Sequence, residues 1–246
     1  MNTVERLLEN ADELRNGANE IIPKLIKDSS KIEYAYNPLE YAWKPHSEYI
    51  RRHGGMGAKI LLVGMNPGHG MGNTGIPFGC PKMVREILGI TGFDVGSPTI
   101  THPKRLIIGL NHPKPEVSGT RIWGTLSQIY GPGNAAASEV FIVNHCPLWM
   151  FDEKGRNITP DKLTGNVSNK LTKICNQHLL KVVEILEIER VIGVGKYAQK
   201  RIGEIFEQNQ QLILDGVPHP SPANPFANRN GGEDWKNAFK EVLNPS

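Results

Sequence analysis

The chain has 246 residues, 39% of them hydrophobic and 22% charged, with a formal net charge of +3. That length suits one large domain with a sizeable core, and those proportions exclude wholesale disorder. So small a positive charge permits a nucleic-acid partner without demanding one, because a local basic patch suffices.

In chain order, Leu7, Leu8, Ala11, Leu14, Ala18, Ile21 and Ile22 recur at helical spacing and predict an amphipathic first helix. YNPLEYAWKPH at residues 36–46 is broken by prolines and predicts an irregular aromatic segment packed on the core. A strand is expected over 59–63, followed by GMNPGHGMGNTGIPFG at 64–79, a flexible, uncharged loop in which six of sixteen residues are glycine. Helices are expected near 82–88 and over 120–130, the second ended by Gly131-Pro132-Gly133. The apolar, β-rich run at 140–143 reads as a buried strand. Thr159 and Pro160 offer an N-cap and a proline at the first helical position. The long helix behind them has Leu171, Ile174, Cys175, Leu179, Val182, Val183 and Leu186 on one stripe. Residues 191–194 read as a strand that Gly195 turns into a helix through Phe206, and 212–214 and 234–243 as a last strand and a closing helix. There is no repeat, low-complexity tract or linker, so residues 1–246 are expected to form a single domain. Strands alternating with helices predict an α/β fold, a central, mostly parallel sheet flanked by helices on both faces.

Cys80, Cys146 and Cys175 are odd in number and widely spaced, without any CxxC. They read as reduced thiols, not as a disulfide framework or a zinc or iron–sulfur site. The opening stretch MNTVERLLENADELRNG is charged throughout and lacks a signal-peptide core. No apolar run approaches the roughly 20 residues needed to cross a bilayer. These features predict a soluble intracellular protein with no membrane partner, cytoplasmic in preference to the nucleus of a eukaryote.

Sites in parallel α/β folds gather beyond the carboxyl ends of the strands, and three segments with chemical capacity lie at such places. The glycine-rich loop is one. It reads either as a phosphate cradle or as a tight turn, yet it has neither the GK[ST] of a P-loop nor GxGxxG spacing. Asn144-His145-Cys146-Pro147 leaves the 140–143 strand, where an amide is often a structural cap. PHPSPANP at 218–225 holds four prolines in eight residues, a stiff loop that fixes His219. Each segment alone is compatible with a purely structural role.

Taken together, in this order, GMNPG–TGIPFG, NHCPL and HPSPANP resemble the motifs of the single-strand-selective monofunctional uracil-DNA glycosylases. The resemblance covers nearly the whole chain and extends to YNPLEYAWKPH, HPKRLIIGL, EVSGTRIWG at 116–124 and GRNITP at 155–160. It implies the fold of the uracil-DNA glycosylase superfamily, a mostly parallel sheet flanked by helices. It also implies DNA as partner, single- and double-stranded and containing uracil, with no metal or cofactor and a monomeric enzyme. Such enzymes flip the target nucleotide into a pocket, and glycines let backbone N–H groups approach the flipped base.

By this resemblance Phe78 stacks on the uracil ring, although ordinary core packing is the alternative. Asn144 reads the Watson–Crick edge, its amide able to donate to O4 and accept from N3–H together. Asn66 positions the hydrolytic water, His219 bonds O2 of the departing base, and the Met65 and Gly68 amides help to hold the anion. Gly68 leaves room near C5, so 5-hydroxymethyluracil is expected as a substrate beside uracil. Asn66 cannot act as a general base, which suits a bond that breaks early to an oxocarbenium-like sugar. No lysine occupies the three motifs, so base excision is expected without Schiff-base strand cleavage.

The chain also departs from the family pattern. The loop after Asn66-Pro67-Gly68 is one residue shorter than in vertebrate members. In the wedge loop of Pro220, Ser221, Pro222, Ala223 and Asn224, Ala223 stands where those members carry an arginine that fills the gap left by the flipped base. Phe226 or Arg229 is expected to substitute, or duplex binding to be weaker. His69 and His145 read as structural or pocket-lining. Two other readings stand beside this one: a superfamily relative with xanthine or hypoxanthine preference, and a DNA-binding module without catalysis.

Overall fold

In a computed structural model the chain is described over residues 1–113, 115–131 and 134–244. The expected Gly131-Pro132-Gly133 stop therefore lies partly outside the described residues. Asn2 opens α1 (Thr3–Asp28) through a capping box with Glu5, and Leu7, Ala11, Leu14 and Ala18 form the buried stripe that the spacing predicted.

Residues 36–46 differ from the expected irregular segment. They carry the end of β1 (Tyr34–Tyr36), then α2 (Pro38–Tyr41) and the start of α3 (Trp43–His53). Asn37 caps α2 by accepting from Leu39 N–H at 3.2 Å, with Pro38 at the first helical position. Pro45 lies ahead of the first α3 backbone bond, His46 N–H to Ala42 O at 3.2 Å, so no helical bond is lost.

β2 (Ile60–Gly64) leads into α4 (His69–Thr74) and α5 (Pro81–Glu86), and α6 (Val117–Tyr130) and α7 (Asn134–Ala137) precede β3 (Val140–Asn144). β4 (Trp149–Phe151) and β5 (Asn157–Ile158) then pair antiparallel with each other, and β4 with β1. The sequence had shown nothing of this second sheet, ordered β1-β4-β5. Thr159 and Pro160 do not start the long helix. They begin a 3-10 turn at Pro160–Lys162, and α8 (Gly165–Leu186) follows Thr164. Between the two, Leu163 packs against a small apolar cluster, which keeps 163–164 extended and delays the helix.

β6 (Arg190–Val194), α9 (Lys196–Phe206), β7 (Ile213–Val217) and α10 (Glu233–Leu243) complete the chain. The main sheet is wholly parallel, in the order β3-β2-β6-β7, with Gly64 level with Asn144. Leu61, Leu62, Ile142, Val191 and Ile192 are fully buried, the continuous apolar run of strands covered on both faces. Among the described residues no helix is long and apolar enough to cross a membrane.

Candidate active site

Because the main sheet is parallel, β2, β3 and β7 end at one edge, and the segments that leave them meet there. Met65, Asn66, Gly68, Phe78, Asn144 and His219 line one cleft of about 230 Å³. That far exceeds the ~30 Å³ share of a liquid water. All six are residues the motifs pointed to; the same cleft is also lined by Glu116, Ser118, Asn157 and Ser221.

The glycine-rich loop is packed, not slack. A Cβ on Gly72 would fall 2.2 Å from the Trp149 ring. The Thr74 hydroxyl donates to Gly79 O at 3.0 Å and accepts from Ile76 N–H at 3.2 Å. Asn73 Oδ1 accepts from Ile108 and Gly109 N–H at 2.8 and 3.1 Å. Glycine is a poor helix former, so α4 rests on these tertiary contacts. Gly68, by contrast, faces open space, for a Cβ there would meet nothing within 4 Å.

Asn66 Nδ2 donates to Leu148 O at 3.2 Å and Pro67 O at 3.3 Å. Two carbonyls thus fix the amide's orientation and leave Oδ1 as the free acceptor. Asn144 is buried, and its Nδ2 faces Met71 Sδ at 3.0 Å, a weak acceptor that a better one can displace. Gly64 is what lets these groups gather. A Cβ on it would lie 2.1 Å from Asn144 Oδ1 and 2.8 Å from the Phe78 ring. Gly64→Ala is therefore expected to displace both side chains and slow whatever reaction this cleft carries by about 10²-fold, the scale of an ~1 Å misplacement. Single-turnover kinetics with a melting curve check this, and a folded variant of normal rate overturns it.

Phe78 holds its ring in place from a left-handed backbone, φ 51°, at a cost of about 1–2 kcal/mol. Its surroundings enforce that conformation. Phe78 O accepts from Cys80 N–H at 2.8 Å, and α6 presses so close that a Cβ on Gly119 would lie 2.1 Å from that oxygen. The His219 ring lies 6.2 Å from the Phe78 ring, centroid to centroid.

His219 Nδ1 accepts from Ser221 N–H at 3.1 Å. That bond assigns the neutral ring's proton to Nε2. Burial holds its pKa below the ordinary histidine value, so at neutral pH His219 is an uncharged N–H donor. The backbone on both sides of it is tied: Asn224 Nδ2 donates to His219 O at 2.8 Å, Ser221 Oγ accepts from Ala223 N–H at 3.2 Å, and Trp235 Nε1 donates to Pro218 O at 2.6 Å. Pro220 is buried, while Pro222 and Ala223 form an exposed tip. Phe226 is half-buried against the main core with the Arg229 guanidinium 5.5 Å from its ring centroid. Of the two substitutes considered for the missing wedge side chain, Arg229 is the exposed one.

Glu116 is a cleft residue to which the sequence assigned no role. It caps α6, Oε1 accepting from Ser118 N–H at 2.9 Å and Oε2 from Gly119 N–H at 2.6 Å. An acidic side chain just before the helical run was the available signal, hidden because the helix had been expected only from 120. His145 faces away from chemistry, bonded to Asn176 Oδ1 at 2.7 Å and Tyr197 OH at 3.0 Å, its pKa held to about 4 by burial. His69 packs edge-on against His112, with ring centroids 4.4 Å apart.

The family profile of the Uracil DNA glycosylase superfamily matches residues 52–243. A single-strand selective monofunctional uracil DNA glycosylase of Bos taurus is 38% identical over 218 residues, covering 88% of this chain and 78% of that protein. Its Rattus norvegicus counterpart is 39% identical over 210 residues, 85% of this chain and 74% of that protein. The crystal structure of wild-type Pedobacter heparinus SMUG2 shares the fold, with a TM-score of 0.61 at 17% identity over 95% of each chain.

Proposed function

This chain belongs to the uracil-DNA glycosylase superfamily and, within it, to the single-strand-selective monofunctional family, and on that premise we propose that it flips uracil out of DNA and hydrolyses its N-glycosidic bond, leaving an abasic site. The observation that carries this reading is that Asn66, Asn144 and His219, 153 residues apart from first to last, line one cleft with Phe78. The roles proposed for these groups are those the family resemblance implies, and the geometry of each group supports them. Asn144 exchanges its thioether partner for uracil O4 and accepts from N3–H. Phe78 supplies the stacking face. His219 Nε2–H donates to O2 as negative charge moves onto the base. A neutral donor suits this task, since a fixed donor aimed at the developing anion lowers the barrier without a proton leaving the site. Asn66 Oδ1 accepts from a water and points it at the sugar carbon, and the bond breaks before that water attacks.

The test is an oligonucleotide carrying one uracil, incubated with the protein and then treated with alkali. Strand scission only after alkali is expected. An intact strand would refute glycosylase activity, and scission before alkali would refute the hydrolytic, lyase-free route.

The base range is part of the same proposal. Open space at Gly68 accommodates a C5 substituent, so 5-hydroxymethyluracil is excised as well. Gly68→Val fills that space and is expected to reduce excision of 5-hydroxymethyluracil by about 10-fold or more relative to uracil, the usual effect of steric mismatch by a methylene or two. Equal reduction for both bases would place the C5 substituent elsewhere. As for strand preference, Ala223 at the exposed tip is too short to fill a vacated stack. Extruding a base costs a few kcal/mol, least from a single strand, so rates fall in the order single strand, U·G mismatch, U·A pair.

A further inference from the structure

The arginine of α6 meets the loop after β7 twice. Arg121 Nη1 donates to Pro220 O at 2.6 Å, and Nη2 to Asn228 Oδ1 at 3.3 Å. Asn228 passes the hold onward, its Nδ2 donating to Pro222 O at 2.6 Å. One guanidinium therefore fixes the carbonyl next to His219 directly and the exposed tip through an intermediary. Gly232 makes room for it: its φ is 100°, and a Cβ there would lie 3.2 Å from Nη2 and 3.3 Å from Nε. Both of these acceptors are neutral oxygens, so the planar fork serves here as a geometric device. A lysine, with one ammonium in place of a fork, reaches one such acceptor but does not hold two in a fixed relation.

We infer that Arg121 is a two-armed positioning residue for the glycosylase reaction: the Pro220 arm sets the aim of His219, and the Asn228 arm holds Pro222 and so the exposed tip that meets the duplex without filling its stack. The inference rests on the roles proposed above for His219 and the loop tip. It separates two functions that share one loop. Chemistry on a single strand needs only the first arm. Chemistry on a U·A pair, where the base must be extruded and kept out, needs both.

The experiment measures single-turnover excision from a uracil-containing single strand and from a U·A duplex, with melting curves, for the natural chain, Arg121→Ala, Arg121→Lys and Asn228→Ala. Arg121→Ala is expected to slow both substrates, the single strand by about 10²-fold, as for an ~1 Å misplacement. Arg121→Lys recovers most of the single-strand rate and stays slow on the duplex. Asn228→Ala loses more on the duplex than on the single strand. Should Arg121→Ala fail to fold, the other two variants still decide the matter. Equal loss on both substrates in Arg121→Lys and Asn228→Ala, or no loss in either, overturns the two-armed assignment while the glycosylase reading stands. Absence of excision by the natural chain would sink that reading and this inference with it.

Discussion

Asn66→Ala is expected to lower single-turnover uracil excision by about 10²- to 10³-fold and to leave oligonucleotide binding within a few-fold of the natural chain. The magnitude is that of losing one preorganised polar group at a reacting centre. The reason for so large an effect is the way the amide is held. Leu148 O and Pro67 O occupy Nδ2, so Oδ1 cannot turn away, and a water bonded to it has a fixed address. Asn66→Asp does not simply supply a base. It sets a carboxylate oxygen against the carbonyls that now accept from Nδ2, and that repulsion turns the group or raises its pKa. Binding is measured by titration against a labelled strand and rate by rapid quench. A near-normal rate for Asn66→Ala would remove this residue from the mechanism.

Acidification is expected to destabilise the fold steeply between pH 6.5 and 4, with unfolding near pH 5. Burial holds the pKa of each of His46, His53, His145 and His178 down to about 4. Two of them have a buried ring nitrogen without a partner among the described residues, His53 Nε2 and His178 Nδ1. The unfolded chain takes up protons near pH 6.5, before the folded one does, so stability is full above that value and is lost as pH falls toward 4. At pH 5 each ring contributes a loss of about 2 kcal/mol. Four together approach about 8 kcal/mol, within the ~5–15 kcal/mol that hold a domain folded. Denaturant midpoints from pH 7.5 to 4.5 report the slope, and His178→Gln is expected to reduce it by about one proton. A midpoint constant down to pH 5 would contradict the burial argument.

What was legible in the sequence was whatever repeats along an element. The α1 stripe, the three buried strands β2, β3 and β6 and the segments that leave them can be read because burial on one or both faces writes a period or an unbroken run, whereas the edge strand β7, with Ile213 and Leu214 exposed, shows only its start in the expected 212–214. The antiparallel sheet could not be read. β1, β4 and β5 have three, three and two residues, too few to show alternation, and so Asn157 was not placed in the cleft. The prolines at 38 and 45 read as breakers yet lie where a missing N–H costs nothing, and the start of α8 does not show in the sequence because Leu163 answers to packing. α4 defies propensity, with Gly70 and Gly72 in a helix of six residues. The Trp149 ring and the Asn73 bonds that require it come from distant parts of the chain. The Arg121 hold is equally silent, since no spacing announces that α6 will reach the residues around 220 and 228.

The left-handed backbone of Phe78 has a consequence for how this protein can fail. Replacing Phe78 by glycine or asparagine would relieve about 1–2 kcal/mol of strain. It would also give up roughly 1 kcal/mol or somewhat more for a half-buried ring, against the ~1.5–3 kcal/mol of full burial. The relieved strain offsets part of that loss, so expression level, solubility and melting temperature would register less than for an unstrained phenylalanine. With the role proposed for Phe78, the base would nonetheless have lost its stacking face. A single substitution can thus leave a well-folded protein that no longer removes lesions. Inheritance through such a change would show less in any quality control that inspects folding than in the mutations that accumulate.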